Sequence, residues 1–182
     1  GVGKRDAATT ARMQQRLGMV SAAQGKLPEA ERLLAAADRF FRTDPARFRV
    51  ERQDGISARA YMLRVSGRRD EAIRLFEDSL PEARLAYAGN PRELLTRYAN
   101  LGLHYIESAR LDDAARILAQ GEVLARRANM TSSSQGLMLQ THAATLRAMR
   151  GDLVGARGAY EHVAKLRREL YGRSAGLGFA LL

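Results

Sequence analysis

The sequence contains no cysteine and no tryptophan, four prolines, and three lysines (Lys4, Lys26, Lys165) among thirty basic residues. Without cysteine there are no disulfides and no thiolate metal sites, a composition that fits a reducing compartment. No apolar run approaches the ~20 residues needed to cross a bilayer as a helix. The chain also opens without a basic-then-apolar signal segment. The expectation is therefore a cytoplasmic protein, or an excised piece of one, with no membrane partner. Arginine standing in for lysine points to a GC-rich bacterial genome as the source.

What is present is helix. A chain of 182 residues with 46% hydrophobic content is long enough for one domain with a continuous core. The clearest stretch runs from Tyr98 to Leu124. Tyr98, Leu101, Gly102 and Tyr105 recur at i, i+3, i+4 and i+7, on one face of a helix. After a break at Ala109-Arg110, Leu111, Ala114, Leu118 and Gly121 line the inner face of a second helix. Such a hairpin cannot bury both faces alone.

Its neighbours follow by arithmetic. The break residue, the alanine five places on and the bulky residue four places after that read Ala109, Ala114, Leu118. The same triplet recurs as Gly25, Ala30, Leu34; as Gly67, Ala72, Phe76; and as Gly151, Ala156, Tyr160. The spacing is 67 − 25 = 42, 109 − 67 = 42 and 151 − 109 = 42. A period of this length marks a solenoid of helical hairpins.

Asn100-Leu101-Gly102, Tyr105, Ala114, Leu118 and Gly121 resemble the tetratricopeptide (TPR) pattern. Leu17-Gly18, Gly25 and Ala30 match it in part, as do Ala60, Gly67, Ala72 and Phe76, and Ala144, Gly151, Ala156 and Tyr160. The long repeat is similar to kinesin light chain repeats and to the helical sensor domains of bacterial maltose-activator-like regulators. The resemblance covers residues 12 to 172. It implies an all-α, right-handed superhelical solenoid of four hairpins with a truncated C-terminal helix.

The expected units are 7–44, 45–89, 91–130 and 133–172, with a partial fifth helix at 174–182 and the whole a fragment of a longer array. The first helix is expected over 7–24, and its partner from Pro28, a favoured first-turn residue. Thr43-Asp44-Pro45 closes that hairpin, and Asp54-Gly55 interrupts or begins the next helix. Pro81 removes a backbone bond from the helix that starts near Arg69. Gly89-Asn90-Pro91 is a stop and restart, and 131–134 is a capping-rich linker.

Catalytic chemistry finds no footing. His104, His142 and His162 lack metal-ligand spacing, and no cofactor or metal is expected. His104 reads as a packing or rim residue and His162 as solvated. Asp112-Asp113 opens a helix, where carboxylates offset the positive helix end. The serines near Thr131 have no base. Gly1-Val2-Gly3-Lys4 lacks the Ser/Thr after the lysine and the preceding strand of a phosphate loop. The chain reads as no enzyme.

The surface remains. The TPR resemblance implies that first helices line a concave groove. On the first of them the groove residues are Arg12, Gln15, Arg16 and Met19, and on the second Asp54, Ser57, Tyr61 and Arg64. The third contributes Thr96, Ala99, Asn100, Leu103 and Glu107, and the fourth Met138, Thr141, His142, Thr145 and Met149. Asn100 matches the groove asparagine with which TPR domains hold a peptide backbone. Thr141 and His142 stand where the family's carboxylate clamp has basic residues, which argues against a chaperone-tail receptor. The expected function is an interaction or effector-sensing scaffold, a module of a larger bacterial signalling or transcription-regulatory protein. Its partner is a protein or peptide, favoured by the field of +10 if acidic. The alternatives are a stand-alone adaptor forming homo-oligomers through the open C-terminal end, with Leu153, Tyr160, Leu177 and Phe179 as its apolar stripe, and a nucleic-acid binder. The groove set nets only 3 − 2 = +1, so nucleic acid is the weakest of these readings.

Overall fold

In a computed structural model, residues 2–175 are described, with side chains described for 6–170. They form eight α-helices: α1 Val2–Ala23, α2 Leu27–Phe41, α3 Arg49–Val65, α4 Arg69–Ala86, α5 Pro91–Glu107, α6 Leu111–Arg127, α7 Ser134–Met149 and α8 Leu153–Ala175. No strand occurs among the described residues. Consecutive helices pair as four hairpins, α1–α2, α3–α4, α5–α6 and α7–α8. The chain divides into two compact units, Gly1–Gly89 and Asn90–Leu182. In the first unit α3 packs on both α1 and α2; in the second α7 packs on both α5 and α6.

The 42-residue register is written into the backbone. Gly25, Gly67, Ala109 and Gly151 all take positive φ, at 74°, 80°, 57° and 87°. At each, the following amide reaches back five residues: Lys26 to Ser21, Arg68 to Leu63, Arg110 to Tyr105 and Asp152 to Arg147, over 2.8–3.0 Å. These are four copies of one Schellman turn, which satisfies carbonyls at the end of each first helix. Beyond each turn, the amides of Ala30, Ala72, Ala114 and Ala156 make the first bond of the second helix. All four alanines are buried, at 0–2% exposure.

Small residues 16 positions before the bulky one complete the hairpin crossing. A Cβ added to Gly18 would lie 2.8 Å from Leu34, and one on Gly102 would lie 2.6 Å from Leu118. Ala60 and Ala144 hold the equivalent positions, buried at 0% and 1%. A larger side chain there would push the two helices apart, because side chains of a close-packed core have nowhere to go.

Several boundaries differ from the sequence-based expectation. Asp54 and Gly55 lie inside α3, which runs unbroken from Arg49, and a Cβ at Gly55 would lie 2.6 Å from Gln15 Nε2. The first helix starts at Val2 rather than residue 7. Pro81 lies within α4 without ending it. The expected capping linker is present: Ser133 caps α7 by accepting the Gly136 amide at 3.1 Å. Gly172, at φ 71° and ψ 178°, interrupts α8, and 176–182 of the expected ninth helix lie outside the described residues. No described helix is long and apolar enough to cross a membrane.

Candidate functional site

Within each unit the first helices carry a face whose residues are exposed or half-buried. In the first unit this face carries Arg16 and Met19 on α1, both exposed, and half-buried Tyr61 and Arg64 on α3. The Arg64 guanidinium stands 5.4 Å from the centre of the Tyr61 ring, a cation–π arrangement that fixes both side chains. In the second unit the corresponding face holds half-buried Thr96, Asn100 and Leu103 and exposed Glu107 on α5. On α7 it holds half-buried Met138, His142 and Thr145, and Met149 at 48% exposure.

Two residues expected on this face lie elsewhere. Gln15 is 8% exposed, and its Nε2 donates to the Glu51 carbonyl of α3 at 2.7 Å. Ala99, at the same position two repeats on, is fully buried. One residue is a rotation of about 100° on a helix, which moves a side chain from the open face to the seam between neighbouring first helices. Ser57 and Thr141, which share that position, are half-buried, and their hydroxyls donate to the carbonyls of Gln53 and Leu137 in their own helices. Arg12 is exposed and ion-pairs with Glu51 at 2.5 Å.

The fourth hairpin breaks the pattern of the others with a polar cluster. Arg167 occupies the position held by Phe41, Ala83 and Ala125, which are 0–3% exposed. Its guanidinium donates to Thr141 Oγ1 at 3.4 Å. Thr145 Oγ1 pairs with the Tyr160 hydroxyl at 2.8 Å. Burial of the His142 ring, with a second contribution from the nearby Arg167 charge, lowers its pKa to about 4. His142 is therefore neutral at pH 7, a donor and an acceptor rather than a cation.

Many of the arginines are engaged in ion pairs. Asp113 holds Arg110 and Arg116, and Asp112 holds Arg150 at 2.5 Å. The Asp112-Asp113 pair thus anchors arginines and also places negative charge in the first turn of α6. Arg68 pairs with Glu71 and Arg157 with Glu161. His104 is 3% exposed and packed, whereas His162 is exposed. Gln53 and Arg97, which the sequence pattern does not distinguish, are buried at 1% and 2%.

Eight helices in four hairpins of one 42-residue register define an all-α helical-repeat protein. Among solved structures the chain is similar to BtubC (BKLC) from P. vanneervenii, a bacterial kinesin light chain-like helical repeat protein, with a TM-score of 0.64 and 21% identity. The match covers 91% of this chain and 62% of that one, so the chain spans less than two thirds of BtubC. No family model matches the chain, and no curated protein matches it.

Proposed function

We propose that the protein is a TPR-type interaction scaffold that takes an extended or helical segment of a partner protein, or a small effector, on the open faces of its first helices. It is a module of a larger signalling or transcription-regulatory protein and carries out no catalysis. The observation that carries this reading is the combination on each unit of helical support with exposed or half-buried apolar and amide groups: Met19 and Tyr61 on one, Asn100, Leu103 and Met149 on the other. Methionine and aromatic side chains adapt to a partner's shape, and groups on helices are pre-placed to receive it. Asn100 offers an amide to a peptide backbone.

The test is capture of partners by the wild-type chain and by the Tyr61→Ala, Asn100→Ala double variant. The variant keeps its helical spectrum and melting temperature but loses most partner capture. Equal capture by the two proteins overturns the reading.

A second reading, self-association through the last hairpin, is favoured by the exposure of Leu153 at 67% and Val154 at 88%. Leu177 and Phe179 of the expected stripe lie outside the described residues. Sedimentation that shows monomers at every concentration, unchanged by Leu153→Glu, excludes it.

A further inference from the structure

On the outer side of α1, Asp6, Thr10, Met13, Leu17, Val20 and Gln24 follow one another at alternating steps of four and three, and all six are exposed. Gln24 stands just past the helix, where its amide still reaches the Val20 carbonyl at 3.0 Å. Met13, Leu17 and Val20, in the middle, are each more than half exposed. Steps of four and three are the spacing with which one helix meets another along a shared apolar line. A single exposed apolar side chain needs no partner, but three in one line make a continuous patch.

The fourth repeat shows what this line does when it is covered. Three repeats on, at 13 + 126 = 139, 17 + 126 = 143 and 20 + 126 = 146, stand Leu139, Ala143 and Leu146 of α7. Leu139 and Leu146 are buried and Ala143 is half-buried. There α6 packs on α7, so closely that a Cβ on Gly121 would lie 2.7 Å from Leu139 Cδ2. The line that takes a helix on α7 is bare on α1.

The last hairpin of another copy is a poor match for it. That hairpin carries Arg167 where the others bury Phe41, Ala83 and Ala125, and its Tyr160 hydroxyl is paired with Thr145. A second α1 matches. Laid antiparallel, with paired positions summing to 30, Met13 meets Leu17 on either side of the two-fold axis, Thr10 meets Val20, and Asp6 meets Gln24. The Thr10 hydroxyl donates to the Asp6 carbonyl at 2.9 Å, which leaves its methyl for Val20. The Gln24 side-chain amide is a donor for the Asp6 carboxylate, and Arg16 comes beside Gln14 rather than beside another cation. A parallel pair would instead set Asp6 against Asp6, a like-charge contact.

We propose that α1 is a self-association surface, on which a second copy of this chain lays its own α1 antiparallel in a two-fold dimer. Its apolar centre is Met13 and Leu17 of both copies, and its polar ends are the Asp6–Gln24 pairs. Neither the open face at Met19 and Tyr61 nor the exposed Leu153 and Val154 of the last hairpin takes part. Three apolar positions per copy cover far less than the roughly 800 Å² per partner of a standard interface, so the dimer is a weak one.

Sedimentation of the whole chain between about 10 μM and 1 mM is expected to show monomers passing into dimers. Leu17→Glu puts a carboxylate at the apolar centre and weakens the dimer by roughly tenfold or more, with an unchanged helical spectrum because the side chain is exposed. Leu153→Glu leaves this dimer intact. The chain has no cysteine, so Met13→Cys and Leu17→Cys report the orientation: a mixture of the two oxidises to a cross-linked pair faster than either variant alone. Monomers throughout the range, dimers untouched by Leu17→Glu, dimers lost only with Leu153→Glu, or Leu17→Cys cross-linking by itself as fast as the mixture overturns the proposal. Should Leu17→Glu fail to fold, the cross-linking pattern decides it.

Discussion

At the residue scale, Ala109 is the outlier of its set. Three of the four turns place glycine at positive φ, and the third places alanine at φ 57°. A Cβ in the left-handed region clashes with the following carbonyl, at roughly 1–2 kcal/mol. Ala109→Gly is therefore expected to stabilise the protein by up to about 1 kcal/mol, less the added freedom of glycine in the unfolded chain. Urea denaturation reads this directly, and a destabilised variant would mean that Ala109 makes contacts the turn geometry does not require.

His142 gives a second prediction at this scale. Its folded-state pKa of about 4 lies below the ordinary 6.5, so the folded chain resists protonation where the unfolded chain accepts it. Stability is full above pH 6.5 and falls as pH drops from there towards 4. The loss is at most about 3 kcal/mol, and less in proportion to the water that reaches the half-buried ring. His142→Asn, the residue of the third repeat, should flatten the curve over this window. The wild-type minus variant difference between pH 7 and 4.5 isolates the histidine from the carboxylates that titrate nearby. A difference of zero would place the ring in water.

At the scale of the element, the hairpin crossing is set by one small residue against one large one. Gly102→Leu forces a side chain into space already held by Leu118, and Ala114→Leu enlarges a fully buried side chain; each should cost roughly 1–3 kcal/mol. Thermal melts measure it, and an unchanged melting temperature in both would contradict the register. This register is also what the sequence made legible. A turn that needs positive φ selects glycine, a close crossing selects alanine, and both demands repeat with the hairpin. The rotation of a first helix is less legible. Gln15 and Ala99 differ from Arg16 and Asn100 by one position, and in a helix rich in arginine, alanine and glutamine either face reads as polar. The Arg12–Glu51 pair joins residues 39 apart, and no local pattern announces it.

At the scale of the whole molecule, the net charge of +10 is the feature any polyanion meets first. The first-helix faces hold little of it: Arg12, Arg16 and Arg64 stand against Asp54 and Glu107, a net of 3 − 2 = +1. Binding to duplex or single-stranded nucleic acid is accordingly expected to be weak and to fall by an order of magnitude or more between about 50 and 200 mM salt. Tight binding that survives physiological salt would restore the nucleic-acid reading and displace the protein scaffold.

The four identical turns carry a consequence for how this chain can change length. Each turn ends one helix and starts the next with the same backbone bonds, whatever side chains flank it. A segment cut at Gly25, Gly67 or Ala109 and rejoined at an equivalent turn therefore meets a matching backbone. Chains longer or shorter by 42 residues keep every crossing alanine opposite its bulky partner. A change of any other size inside a hairpin turns all downstream faces away from their neighbours. Growth and loss of this protein should come in whole steps of that size, so relatives that differ in length by multiples of 42 are the ones whose helices can be superposed throughout.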